Sequence, residues 1–367
     1  MKSEGKTSLQ AFCLEIAHSL VSICMAIIVG ALVIVVVGEN PLVAFKELLK
    51  GAFGSKVYFA NTISRAVPLI FCGLSVALSQ RCGIFNIGAE GQLHLGAMAV
   101  AIMGLYVGSL PHVLAILLLF IAGFLGGAVG GLCVGVLKSK FQISEVIAAI
   151  MLNYVFKLFT SWLASGPFTS GETSVQTIKL SDNLSLTTLV QNTKLTTGVF
   201  IALVVVAAVW IFLWKTTAGF KLRATGFNSS AAKANGINSN LLMLLTMGLC
   251  GGLAGLAGCT EVLGNYHRFI EGFSPSYGFT GIAVAILGRN HPVGVVLTSF
   301  LFAILNSGAL RMARVTTVSS NVVAVIQSLI IIAVAAPEMI RFAKRSGRKE
   351  KVKRKEVPNE QHSGIDS

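Results

Sequence analysis

Ten apolar stretches recur along the chain, at Leu20–Val37, Thr62–Leu78, Gln92–Val107, His112–Val136, Glu145–Ala164, Thr197–Trp214, Leu241–Val262, Pro275–Leu287, Pro292–Leu310 and Asn321–Ala335. A membrane helix needs roughly 20 mainly apolar residues to cross about 30 Å, so most of these predict a span. The eighth is short and polar at both ends, which predicts a broken or re-entrant helix. The fold expected is all-α, a polytopic transmembrane helical bundle of about ten spans. Two polar stretches interrupt it: 165–196, rich in Ser and Thr, and 215–240, polar and basic. Residues 1–340 read as one transmembrane domain, and 341–367 as a basic tail with the composition of a disordered segment.

Only 12% of the residues are charged, against about 25% in soluble domains, which argues against a soluble enzyme. The net charge of +14 would fit a nucleic-acid binder were it not for its distribution. Much of the excess sits in the run Arg341–Lys355, and other basic residues fill the short gaps between apolar stretches. That pattern obeys the positive-inside rule. With both termini inside, nineteen basic residues fall on the inner side and eight on the outer. The expectation is a prokaryotic plasma (inner) membrane protein with cytoplasmic termini, in contact with lipid and not with nucleic acid. The first stretch, followed by nine more, reads as a span that stays.

Candidate chemistry is sparse. The cysteines at 13, 24, 72, 82, 133, 250 and 259 form no CxxC pair and read as membrane-buried thiols. The six histidines are dispersed, without metal-ligand spacing. Gly5-Lys6-Thr7 resembles the end of a phosphate-binding loop but lacks its first glycine, and no soluble stretch is large enough for a nucleotide-hydrolysing core. Gly123, Gly127, Gly131 and Gly135, and again Gly248, Gly251, Gly252 and Gly255, form ladders that bring helix backbones close.

Polar groups within or joining spans carry more information, because in hydrocarbon they must face protein or water. Phe85–Gln92 places Asn86, Glu90 and Gln92 among glycines at a helix start, with Glu90 in the first turn. It reads either as a helix stabiliser at the membrane surface or as a turn lining a transport path. Asn153 and Lys157 are four apart on the fifth span. Lys157 either snorkels to the interface or faces protein or water. Arg65 reads as an anchor at an outer edge. In 221–237, Asn228, Ser229 and Ser230 can cap a helix, Ala231, Ala232 and Lys233 favour one, and Gly236 can end it. This is either a short helix that docks into a partner or an ordinary basic loop. Finally, Gly73–Leu78 and Gly281–Ile286 echo each other, each followed by an arginine eight residues after its glycine, and both run in the same direction.

Taken together, Phe85–Gln92 ("FNIGAEGQ"), Ser144–Tyr154 ("SEVIAAIMLNY"), Gly278–Pro292 ("GFTGIAVAILGRNHP") and Arg223–Ile237 resemble the ABC permease family that serves simple sugars, branched-chain amino acids and nucleosides, in particular its nucleoside branch. The resemblance runs from about Leu20 to Glu338. It departs at Ser229, where the coupling loop usually has Pro, at Asn235, where an aromatic is common, and at Thr280, where many relatives carry an acid. It implies a type II ABC importer-like bundle with broken or re-entrant helices. The substrate pathway would then take Asn86, Glu90, Gln92, Asn153 and Thr280. Coupling to an ATPase would fall to Arg223, Gly226, Asn228, Ser229, Ala231, Ala232 and Gly236. The partners implied are an ABC ATPase subunit that holds the ATP and Mg, a second homologous permease or a second copy, and an extracytoplasmic substrate-binding lipoprotein received on 165–196. No cofactor is expected in this chain, and no catalysis. The substrate expected is a nucleoside, with a simple sugar such as a pentose as the alternative. An ion-coupled carrier would usually need an acid deep in a span, which the sequence does not show clearly, and a membrane enzyme would need converging polar groups.

Overall fold

The computed structural model describes residues 38–316 and isolated positions at 28, 31–32, 34–36, 325 and 328. Most of the first and last predicted spans and all of the 341–367 tail lie outside the described residues. The chain divides into two compact units, 42–320 and 1–41 with 321–367, and every candidate site residue falls in the first.

The helices are α1 Pro41–Phe53, α2 Lys56–Arg81, α3 Ala89–Gly104, α4 His112–Phe141, α5 Glu145–Ser165, α6 Gly198–Lys215, α7 Thr217–Phe227, α8 Ser229–Ala234, α9 Ser239–Glu261, α10 Tyr277–Leu287 and α11 Pro292–Val315. Among the described residues no β-strand forms. Three isolated antiparallel bridges occur, one of which ties Gln176 to Ile270 and so links the two long loops 166–197 and 267–276. Among the described residues six helices, α2, α4, α5, α6, α9 and α11, are long and apolar enough to cross a membrane.

Local chemistry sets the ends. Ser55 caps α2 by accepting from the Tyr58 amide at 3.2 Å, and Asn238 caps α9 through the Leu241 amide at 3.1 Å. Pro292 opens α11 in the first turn, where its missing N–H costs nothing. A π-helical turn, Val262–Tyr266, extends α9.

α2 is buried along most of its length and packs against α9, α10 and α11. α4, α5 and α6 turn large apolar side chains outward, Val113, Leu158 and Val204 among them, as expected where lipid is the solvent. The glycine ladders form the α4–α9 contact. A Cβ on Gly127 would lie 2.7 Å from the Gly255 Cα, and one on Gly251 2.9 Å from the Gly131 Cα. The echoed segments lie side by side and parallel. A Cβ on Gly73 would meet Val284, one on Gly281 would meet Cys72, and Arg81 Nε donates to the Asn290 carbonyl at 2.9 Å.

Two of the helices matched to predicted spans fall short of one. α3 and α10, with 16 and 11 residues, reach about 24 and 16 Å at 1.5 Å per residue, less than the hydrocarbon thickness of about 30 Å. Their N-termini meet: a Cβ on Gly278 would lie 2.6 Å from the Glu90 Cα. The eighth predicted span is thus a half-helix, and the third, expected over Gln92–Val107, is also shorter than the hydrocarbon thickness.

Candidate functional site

The phrase Phe85–Gln92 folds back along α2. Asn86 is fully buried. Its Nδ2 donates to Ser75 Oγ at 3.0 Å and to Gln92 Oε1 at 2.8 Å, and its Oδ1 accepts from the Gly88 amide and Gln92 Nε2, each at 3.1 Å. The Asn86 amide donates to Ser79 Oγ at 3.2 Å. Asn153, from α5, clasps the same turn: its Oδ1 accepts from the Gly91 amide at 2.9 Å and its Nδ2 donates to the Ile87 carbonyl at 3.0 Å. Buried amides with every group paired fix one geometry.

Glu90 is half-buried at the start of α3, and its Oε2 accepts from the Gly278 amide at 2.7 Å. One carboxylate therefore sits at two helix N-termini, where partial positive charge from both favours it. The structure brings Asn86, Glu90, Gln92 and Asn153 together. Thr280 stands half-buried in the first turn of α10, and its side chain makes no hydrogen bond to the other four. Lys157 is exposed on α5, one turn beyond the buried Asn153.

The second group gathers around the end of α2, a few residues beyond Ser79. α8 matches the helix expected from its sequence: Asn228 accepts from the Ala231 amide at 3.0 Å, and Gly236, at φ +77°, turns the chain back. Gly226 lies against the backbone of Arg81 and Cys82 at the end of α2. Arg223 and Arg81 flank the Trp214 ring at 5.8 and 5.5 Å from its centroid, and the His291 ring lies 4.9 Å from it. Ala232 is buried within the chain, whereas Ser230, Ala231, Lys233 and Ala234 are exposed, as is Phe227 at 85%. The sequence reading singled out neither Trp214 nor Phe227, nor the helix α7 that leads to them. Their signal was an aromatic on each side of the basic stretch 215–226.

At the end that carries the 166–197 loop, α1, α2, α9, α10, α11 and that loop line a partly open cavity of about 400 Å³. Tyr277, next to Gly278, is part of its wall. Glu261 lines it too and is 2% exposed. Glu261 closes α9 just where its apolar run ends, at a span end and not deep within it, and only the fold shows that it turns inward.

Residues 58–335 match the family described as the branched-chain amino acid transport system / permease component. The chain belongs to that family. All twelve residues expected from the sequence for pathway and coupling lie within the matched range. This permease is 36% identical to the guanosine ABC transporter permease protein NupP of Bacillus subtilis, over 88% of this chain and 94% of that one. It is 33% identical to the nucleoside ABC transporter permease protein NupB of Lactococcus lactis, over 88% and 91%. To the glucose ABC transporter permease protein TsgB13 of Haloferax volcanii it is 32% identical, over 87% of each. Among solved structures, PsaBC from Streptococcus pneumoniae in complex with Fab is a distant likeness, at 16% identity and a TM-score of 0.48 over 79% of this chain and 95% of that one.

Proposed function

We propose that this permease carries nucleosides across the prokaryotic plasma membrane, as one of two permease subunits driven by cytoplasmic ATPases and fed by an extracytoplasmic lipoprotein. The single observation behind the substrate is its likeness, at 36% and 33% identity over nearly the whole chain, to permeases named for guanosine and for nucleosides. The glucose permease at 32% identity favours sugar as the second reading.

In this mechanism ATP is hydrolysed on the partner. The exposed face of α8, with Phe227 beside it, enters a cleft of the ATPase. Closure of that ATPase displaces α8 and, through α7, the contact of Gly226 with the end of α2. The parallel packing of α2 on α10 carries the displacement to the junction of α10 and α3 at Glu90. Asn86, Gln92 and Asn153 hold the turn beside that junction, and Thr280 stands on the half-helix that moves. Access to the path then alternates between the two sides.

The test is uptake of radiolabelled guanosine, glucose and ribose into proteoliposomes holding the full importer, with and without enclosed ATP. ATP-dependent guanosine uptake that excess unlabelled glucose leaves unchanged is the expected result. Uptake of sugar alone would move the permease to the sugar branch, and uptake driven by an ion gradient without ATP would remove it from this mechanism altogether. Orientation is read in the same preparation: Ser174→Cys, in the 166–197 loop, should react with an impermeant thiol reagent from outside, and Ser230→Cys should not.

A further inference from the structure

The 400 Å³ cavity is of the size that holds small molecules, and its lining is unusual for a membrane bundle. It includes the carboxylate of Glu261, the amides of Asn61 and Asn265, the hydroxyl of Ser307 and the rings of Tyr58, Tyr266 and Tyr277. Asn265 Nδ2 donates to Glu261 Oε2 at 2.8 Å, which holds the carboxylate in one orientation. Asn265 Oδ1 and the Ser307 hydroxyl are buried and have no hydrogen-bond partner in the protein. Unpaired buried polar atoms are uncommon in native proteins, and two of the residues that carry them here line one cavity. The tyrosines are preset: the Arg311 guanidinium lies 5.2 Å from the Tyr58 ring centroid, and the Lys194 ammonium 5.3 Å from that of Tyr266.

We infer that this cavity, inside a single permease subunit, is a holding site for a nucleoside before it enters the path, with the planar base against the tyrosine rings and the sugar hydroxyls donating to Glu261. The inference rests on the nucleoside reading above. Two features favour a neutral polyhydroxylated aromatic over an anion. The cations that line it, Arg65, Lys194, Arg311 and Arg314, would attract phosphate, but Arg311 is already paired with Glu47, and the buried carboxylate of Glu261 stands in the same cavity and opposes it. A carboxylate accepts from vicinal hydroxyls, and aromatic faces take a base; a phosphate needs neither. The cavity also ends against closed structure. Tyr277 precedes Gly278, whose amide is held by Glu90, and the turn beyond is locked by Asn86. A solute entering here stops until the half-helices move.

The experiment uses the full importer in nanodiscs. Leu310, exposed on the cavity wall, is replaced as Leu310→Cys, and its reaction with an impermeant thiol reagent is timed against the unsubstituted chain. Guanosine should slow the reaction at least about fivefold, while ribose, inorganic phosphate and guanosine monophosphate leave it unchanged. Glu261→Gln should raise the guanosine concentration needed for half-protection by about tenfold, the loss expected for a hydrogen bond to a charged group. Tyr266→Leu should do the same by removing a stacking face, and it carries the test if Glu261→Gln does not assemble. Protection by phosphate or the monophosphate would overturn the inference in favour of an anion site. Absence of protection by guanosine, in an importer that still takes it up, would overturn the inference and leave the nucleoside reading standing. Ribose protection with ribose uptake and no guanosine uptake would overturn both.

Discussion

Gly226→Ala is the sharpest perturbation of coupling that the fold offers. Gly226 lies in the last turn of α7, where its Cα lies against Arg81 and Cys82 at the end of α2. A Cβ there would stand 2.9 Å from the Arg81 carbonyl carbon and closer still to its oxygen, against about 3.4 Å for an ordinary contact. The atoms it meets are backbone, so no side chain can swing aside. α7 and the α2 terminus must separate by at least about 0.5 Å, and overpacking of this kind costs about 1–3 kcal/mol. Most of that strain falls on the joint between α8 and the body. The Trp214 cage with Arg81 and Arg223 spans the same joint and should loosen with it. The expected result in proteoliposomes is normal insertion and assembly, uptake reduced about tenfold, and ATP hydrolysis that substrate-loaded lipoprotein no longer stimulates. Two readings are needed, the number of nucleosides moved per ATP and the melting temperature of the complex. Wild-type stoichiometry in Gly226→Ala would refute the idea that motion passes from α7 to α2 at this point. A collapse of the melting temperature with unchanged stoichiometry in the surviving complex would refute it equally, by showing the contact to be structural only.

Two further outcomes are expected. Asn86→Ala with Asn153→Ala removes the side chains that hold Ser75, Gln92, the Gly91 amide and the Ile87 carbonyl; at about 1–3 kcal/mol for each buried group left unpaired, uptake should fall at least tenfold while the protein still inserts, and unchanged transport kinetics would defeat the pathway role. Hydrogen bonds from Lys50 and Arg311 hold the Glu47 carboxyl below its ordinary range, so this tie between α1 and α11 is fully present above the unfolded carboxylate pKa and lost as pH falls through the lower folded value. The difference in melting temperature between wild type and Glu47→Gln should therefore be present at neutral pH and vanish only in acid below the ordinary carboxylate range, and a difference that did not change with pH would show that charge is not its origin.

Much of this architecture is legible in the chain itself. Apolar runs marked the long helices, because a lipid-facing helix needs little else, and the capping chemistry of Asn228 and Gly236 located α8 closely. The glycine ladders announced a close helix pair. Three things were hidden for physical reasons. α1 is too short to count as a span, and its apolar positions, Leu42, Val43, Leu49 and Phe53, remain exposed, so no run betrays it. α3 is apolar only beyond His94, and its short reach appears only once Asn86 is seen to tie the turn before it back against Ser75 and Ser79 of α2. The cavity is assembled from α1, α2, α9, α10, α11 and a loop about 70 residues before Glu261; single polar residues at the ends of separate spans give no pattern until the chain brings them together.

The α4–α9 contact sets a limit on how this protein can move. Where Gly127 and Gly131 meet Gly251 and Gly255, no side chains lie between the backbones to exchange rotamers or slide past one another. Shear between packed helices works by small readjustments of interlocking side chains, and along the glycine stretch of that contact there are none to offer. The two helices must therefore travel as one stiff lever, and any change of shape has to be taken up at bending points elsewhere: at the π-helical end of α9, at the reversals around Gly83 and Gly236, and where α3 and α10 abut.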